Sequence, residues 1–531
     1  MFYKLIHTRI RYIFLFVFIV LLCVIIKVFY IEVISYNKLK SLSDDLYSRN
    51  LPIKADRGKI VDRNGLVLAD NITTTSLVLV PRQIKDKEKV AKDLSDILGT
   101  SYEDMLAHVS KKTSIERVHP EGRRLSYETS DKINALNYDG VYLLKESKRY
   151  YPYKELLSHT LGYVGIDNQG LSGLELIYDE YLKGEDGSIK YFSDGKGNRL
   201  EMAQVYENPT DGITIGLTID LNLQKAVEGA LDEIVSKYTP EHALILAMDP
   251  QSGEILAMGS RPGFDPNNYK EYDTETINRN LPIWMTYEPG STFKIITLAS
   301  SIEEKTIDLF KDTFTDSGSI NVEGATLHCW KHGGHGTQTY LEVVENSCNP
   351  GFVSMGQKLG TQKLMSYIKS FGFGKKTGID LNGESNGILF NINKMGPVET
   401  ATTAFGQGIS VTPLQQITAV SAVVNGGNLY KPYIVKSLMN ESGALLDYNE
   451  KVLVKKVISK DTSSLVRFTL ESVVANGTGR NAYIENYRVG GKTGTAQKVV
   501  DGKYSSSSYI LSFVGFMPAD NPKIVIYVAI D

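Results

Sequence analysis

Residues 12–31 form an apolar run of 20 residues that carries one charge, Lys27. That length matches the ~20 residues a helix needs to cross a hydrocarbon core, so most of the chain after it has to fold on one side of a membrane. Lys4, Arg9 and Arg11 precede the run and Glu32 follows it. Its exit, Val28-Phe29-Tyr30-Ile31, is bulky where a signal-peptide cleavage site needs small residues. The pattern predicts a retained single-pass transmembrane helix over 12–31. The positive-inside rule then makes 1–11 a cytoplasmic N-terminus and the remainder extracytoplasmic. With 531 residues the chain holds more than one domain. A formal net charge of −3 provides no basic surface of the kind that binds polyanions, so no nucleic-acid partner is expected. Three cysteines, Cys23, Cys329 and Cys348, do not make a disulfide framework.

Residues 32–56 read as a polar, helical stalk. From Arg57 to Ala69, apolar residues alternate on both sides of Asn64-Gly65, which predicts a hairpin. Residues 87–146 read as charged helical segments. Arg149-Tyr150-Tyr151-Pro152, Leu161-Gly162-Tyr163-Val164-Gly165 and Gly173-Leu174-Glu175 mark a further stretch. Nothing in 57–183 converges on a catalytic set, so this region reads as scaffold. Residues 184–212, rich in Gly, Asp, Asn and Lys, read as loop or linker. Asp220 is a candidate N-cap for a helix to about residue 236. Strands at 243–249 and 254–258, joined by Pro250-Gln251-Ser252-Gly253, open a larger second domain.

Glu288-Pro289-Gly290-Ser291-Thr292-Phe293-Lys294 runs into the apolar segment 295–299. Pro-Gly ends what precedes it, so Ser291 falls at the first turn of a buried helix with Lys294 one turn along. A serine nucleophile needs a base and a site for the developing oxyanion, and a helix N-terminus with a lysine offers both. Ser-x-x-Lys also occurs at Ser35, Ser193 and Ser366, and an N-cap serine with a solvated lysine would look the same. Ser347-Cys348-Asn349 lies between two expected helices, where a hydroxyl and an amide can point into a cleft. Lys-Thr-Gly occurs twice. Lys376-Thr377-Gly378 sits in an expected loop. Lys492-Thr493-Gly494-Thr495 has strand context, with further strands expected at 509–516 and 523–530. A strand edge can pair with an extended peptide, and Gly494 permits close approach. We read 492–495 as functional and 376–378 as a decoy.

Each of these motifs is weak alone; their order and settings together are specific. The set resembles that of penicillin-binding proteins and serine β-lactamases. With the anchor, 57–69, 149–152, Phe405-Gly406-Gln407-Gly408 and Thr412-Pro413-Leu414-Gln415, the chain resembles a class B penicillin-binding protein. Cys329-Trp330, Gly334-His335-Gly336 and the surroundings of Ser347 are similar to the sporulation members of that class, which make spore cortex peptidoglycan.

The resemblance implies an α+β fold: a five-stranded antiparallel sheet flanked by helices (216–531), an elongated pedestal or dimerisation-like domain with linker (32–215), and one transmembrane helix. It implies a D,D-transpeptidase that cross-links D-Ala-D-Ala stem peptides through an acyl-serine intermediate, with β-lactams as covalent inhibitors and no catalytic cofactor. Ser291 would attack, Lys294 would act as base, and Ser347 and Lys492 would carry the proton to the leaving D-alanine. Asn349, Lys492, Thr493 and Thr495 would bind substrate, and the N–H groups of Ser291 and Thr495 would form the oxyanion hole. A polytopic membrane glycosyltransferase is the implied partner. A vegetative division or elongation enzyme, or a scaffold that activates that glycosyltransferase, are the alternatives. Family members continue into a closing helix, so the end at Asp531, on a strand, reads as a truncated transpeptidase domain.

His328, Cys329, His332, His335 and Cys348 lie within 21 residues. A Cys329–Cys348 disulfide, two free thiols, and a structural Zn²⁺ site all fit that clustering. The relatives' pattern points to Cys329, His335 and Cys348 as zinc ligands. Asp316 is the expected fourth, with His332 and His328 as alternatives.

Overall fold

The computed structural model describes residues 2–40, 48–113, 115–192, 205–500 and 503–531. The chain divides into two compact units, each discontinuous in sequence. One contains the segments up to 55, 73–147 and 185–210; the other contains 56–72, 148–184 and 211–531.

In the first unit the apolar helix runs Phe2–Phe29 and continues through a π turn, Tyr30–Ile34. Ile6–Ile34 is long and apolar enough to cross a bilayer. The helix therefore starts ten residues before the expected 12, because Lys4, Arg9 and Arg11 are good helix formers and no breaker intervenes. Three capped helices, Lys87–Leu98, Tyr102–Ser110 and Tyr127–Ala135, bury Val90, Leu94, Met105, Val109 and Ile133 against Leu77 and Leu79.

Two expectations fail in this unit. The stalk is helical at 36–40, but Ser48–Ile53 is a strand. The expected linker supplies Gly187–Phe192 and Val205–Glu207, and the three form one antiparallel sheet. Asp186 holds the strand's exit, accepting from Lys54 Nζ at 2.5 Å and Ala55 N at 3.1 Å. Local polarity hid a partner about 140 residues away. Positions 41–47 and 193–204 of the stalk and linker lie outside the described residues.

In the second unit a five-stranded antiparallel sheet is built from Ala243–Met248 (β1), Ile255–Arg261 (β2), Gly490–Val500 (β3), Lys503–Met517 (β4) and Ile524–Ile530 (β5). The order is β2-β1-β5-β4-β3. All six residues of β1 are buried, as a strand covered on both faces requires. Helix Leu221–Tyr238, capped by Asp220 as expected, packs Val227 and Leu231 on Ala243, Ile245 and Ala257. The other face carries Leu244, Leu246 and Met248 toward the helical lobe. There helix Pro413–Val424 is buried along its whole length, and Lys294–Glu303 buries Ile295, Ile296 and Leu298. Truncating one such leucine costs about 2–5 kcal/mol.

The marked stretches before residue 184 form a buried polar hub in this same unit. Glu175 accepts from Arg57 Nε and Arg149 Nε, both at 2.6 Å, and from Tyr151 OH at 3.2 Å. All four side chains are buried, and the guanidiniums find further acceptors in Asp179 Oδ1, 2.7 Å from Arg57, and Gly58 O, 2.8 Å from Arg149. The Asn64-Gly65 hairpin is present, joining Ile60–Val61 to Val67–Leu79. Gly65 has φ +85°, and Asp62 accepts from Asn64 N, Leu66 N and, at 3.1 Å, Leu221 N.

Candidate active site

Ser291 lies in a single 3₁₀ turn, Gly290–Thr292, that leads into helix Lys294–Glu303. Two glycines allow this turn to sit where it does. Gly290 has φ +53°, and its N–H donates to Gly406 O at 3.0 Å. A Cβ on Gly406 would lie 2.1 Å from Gly290 O, so no other residue fits there. Thr292 Oγ1 closes the turn on Pro289 O at 2.8 Å.

Lys294 is 1% exposed, not solvated. Its Nζ donates to Ser347 O at 2.8 Å, Ser347 Oγ at 3.2 Å and Asn349 Oδ1 at 2.7 Å, and lies 5.1 Å from the centre of the Phe352 ring. Burial lowers its pKa to about 7. Ser347 joins helices Tyr340–Glu345 and Asn349–Leu359, as the sequence predicts, and does so at φ +52°. A non-glycine residue in that region costs on the order of 1 kcal/mol and marks a constrained position.

Lys492 is fully buried, with Nζ donating to Thr493 O at 3.1 Å. Burial, then the neighbouring Lys294 charge, hold its pKa well below the usual lysine value. Lys492–Thr495 pair along β4 with Val514, Phe513, Ser512 and Leu511. A Cβ on Gly494 would meet Ser512 Oγ at 2.5 Å and Thr292 Cγ2 at 3.0 Å; one on Gly290 would meet Thr495 O at 3.1 Å. The Ser291 turn and β3 are thus in close backbone approach. Ser291, Lys294, Ser347, Asn349 and Lys492–Thr495 all come together. The other Lys-Thr-Gly stays in a loop, where Thr377 N and Gly378 N donate to Glu384.

The wall beside Ser347 holds the cysteine–histidine cluster. Asp316, Cys329, His335 and Cys348 present ligand atoms within 4.8 Å of one another. Each sits at the end of an element. Asp316 closes strand Thr313–Asp316, Cys329 follows Ala325–His328, His335 precedes Gly336–Thr339, and Cys348 caps Asn349–Leu359. Both cysteines are free thiols, 3.5 Å (Cys329 to His335 Nδ1) and 3.3 Å (Cys348 to Asp316 Oδ2) from their neighbours. Burial pushes the Asp316 carboxyl up, but the His335, Gly318 and thiol hydrogen bonds prevail and bring its pKa to about 2. His328 and His332 are exposed and outside the cluster. Asn349 Nδ2 donates to His328 O at 3.1 Å, so one amide joins this loop to Lys294.

Sequence reasoning missed Glu288. Its Oε1 accepts from Gly408 N at 2.8 Å and Tyr504 OH at 3.1 Å. A carboxylate directly before a Pro-Gly turn was the available signal, but its partners lie 120 and 216 residues on.

Residues 243–531 match the family model of the penicillin binding protein transpeptidase domain, and 52–217 that of the penicillin-binding protein dimerisation domain. The chain is 53% identical to stage V sporulation protein D of Bacillus subtilis (strain 168), covering 99% of this chain and 82% of that protein. Penicillin binding protein 2X from Streptococcus thermophilus superposes with a TM-score of 0.74 at 25% identity, covering 91% of this chain and 77% of that one. Penicillin binding protein 3 of Mycobacterium tuberculosis, solved in complex with ampicillin, gives 0.71 at 26% identity, covering 91% and 90%.

Proposed function

The chain belongs to the penicillin-binding protein transpeptidases, enzymes of the serine acyl-enzyme type that act as peptidoglycan D,D-transpeptidases, and from that premise we propose that Ser291 is its nucleophile. One observation carries the assignment: the helix that the Ser291 turn leads into begins with a fully buried lysine whose pKa is lowered to about 7 and whose Nζ is hydrogen-bonded to Ser347 and Asn349. A lysine shifted that far is partly neutral near neutral pH and can take the serine proton.

Ser291 Oγ attacks the carbonyl of the D-Ala-D-Ala bond while Lys294 Nζ accepts its proton. The N–H groups of Ser291 and Thr495 stabilise the oxyanion, each worth about 10²–10³ in rate. Ser347 and Lys492 return the proton to the departing D-alanine. An amine from a second stem peptide then takes the acyl group and frees Ser291. Thr493 and Thr495 line β3's accessible side and bind the peptide. Asn349 uses its oxygen and one N–H within the protein, which leaves one N–H for substrate.

The buried donor set S₂NO of Cys329, Cys348, His335 and Asp316 fits tetrahedral Zn²⁺, which would tie the loop at 316–335 to the helix junction at Ser347. Such an ion would be structural, because Ser291 supplies the nucleophile. The likeness to a stage V sporulation protein supports a role in sporulation, in cortex peptidoglycan synthesis. The apolar helix Phe2–Phe29 fits a single-pass anchor, and the basic residues at its start support a cytoplasmic N-terminus. A polytopic glycosyltransferase partner, the contiguous pedestal over 32–215 and a transpeptidase domain over 216–531 rest on family resemblance. Labelling with a fluorescent penicillin tests the reading: wild type labels stably and Ser291→Ala does not. Labelling that survives Ser291→Ala would remove Ser291 as nucleophile.

A further inference from the structure

The inner part of β4 is paired on both sides. Leu511–Met517 pair with β5, from Leu511↔Ile530 to Met517↔Ile524. Lys503, Tyr504, Tyr509 and Ile510 pair with β3, which makes the outer half of the β3–β4 hairpin a two-stranded ribbon among the described residues. Side chains join it to the rest of the unit. Lys498 Nζ reaches Asp531 Oδ1 at 2.6 Å and Glu241 Oε2 at 3.1 Å, at the sheet's end. Tyr504 OH reaches Glu288 Oε1 at 3.1 Å, on the nucleophile's own segment.

Glu288 is an unusual residue to find there. It lies three residues before Ser291, and its carboxylate joins that turn to the loop whose Gly406 O receives Gly290 N. Its Oε2 is buried and has no hydrogen-bond partner among the described residues. A buried, half-satisfied carboxylate costs stability, so its presence beside the nucleophile calls for a role other than stability. The bland alternative is a surface tyrosine that happens to rest on a carboxylate. It does not account for three elements of the site converging on one oxygen.

We propose that the Glu288–Tyr504 hydrogen bond is a latch that holds the outer β3–β4 hairpin down on the nucleophile's turn, making Glu288 and Tyr504 positioning residues for the peptide substrate. With the latch closed, the strand edge following Thr495 lies where an extended stem peptide can pair with it while its carbonyl rests at Ser291. With the latch open, the ribbon lifts and the peptide loses its register. A penicillin, compact and engaged close to Ser291 and Thr495, depends on the outer ribbon far less. This inference rests on Ser291 being the nucleophile.

The test uses the full chain in detergent and two probes: a fluorescent penicillin and a thiolester analogue of an acyl-D-Ala-D-Ala peptide. Tyr504→Phe, which keeps the ring and removes the hydroxyl, is expected to lower kcat/KM on the thiolester about tenfold, mainly through KM, and penicillin acylation about twofold or less. Glu288→Ala is expected to match it, and Glu288→Gln, whose amide oxygen accepts the same two hydrogen bonds, to recover most of the loss. Unchanged thiolester kinetics in Tyr504→Phe would overturn the latch. So would equal losses on both probes, or Glu288→Gln as impaired as Glu288→Ala. Ser291→Ala run in parallel separates the two claims: if it still labels, the nucleophile assignment fails and the latch with it; if it does not label and Tyr504→Phe behaves as wild type, the latch alone fails.

Discussion

The chain writes Lys-Thr-Gly twice, and the two copies do different things. At 376–378 the tripeptide is a loop. Its lysine is exposed, and its threonine and glycine N–H groups are spent on Glu384. At 492–494 the same three residues lie on β3, the lysine is fully buried beside Lys294, and the glycine lets the strand approach Thr292. What separates them is surroundings. A lysine becomes useful to catalysis when burial and a neighbouring cation shift its proton equilibrium, and a glycine when another backbone must come close.

The comparison can be broken most sharply by deleting each lysine. Lys492→Ala is expected to lower penicillin acylation by roughly 10³-fold, and Lys376→Ala to leave it within about twofold. Equal effects on stopped-flow acylation rates would erase the distinction. Next in size is pH. Lys294 must be neutral to accept the Ser291 proton, and its pKa is about 7. The acylation rate should therefore climb about tenfold per pH unit below that value and level off above it. A flat profile between pH 5 and 8 would contradict a buried lysine base.

The cysteine–histidine cluster sharpens the contrast from another side, since Asn349 joins Lys294 to the loop that carries it. Elemental analysis of the purified protein should find about one zinc per chain, lost in Cys348→Ser. Metal-free protein with a Cys329–Cys348 disulfide by mass spectrometry would exclude the site. The smallest effect belongs to the loop copy. Glu384→Ala frees Thr377 and Gly378, and should lower stability by about 1–3 kcal/mol with acylation unchanged. Thermal unfolding measured beside penicillin labelling would show both.

How far the sequence could be read follows from the range of the interactions. The Asn64-Gly65 hairpin, the Asp220 cap and the Ser347 junction are set by neighbours a few residues apart, and each is found where local chemistry places it. The three motifs were legible because each carries its own backbone setting. Asp316 joined the cluster on resemblance alone, and the antiparallel pair Thr313–Asp316 and Gly336–Thr339 is what brings it to His335. Long-range pairings were not legible. Ser48–Ile53 carries no strand signal strong enough to stand without Gly187–Phe192. Glu175 reads as one helical acid until Arg57 and Arg149 meet on it. Glu288 and Tyr504 are ordinary residues until the hairpin sets them 3.1 Å apart.

Burial of Lys294 against Ser347 and Asn349 is what we propose makes Ser291 the acylated residue. Intact mass of the penicillin-treated protein followed by peptide mapping tests it most directly. One penicilloyl adduct per chain is expected, on the peptide containing Ser291. An adduct on any other serine, or none at saturating penicillin, would contradict it.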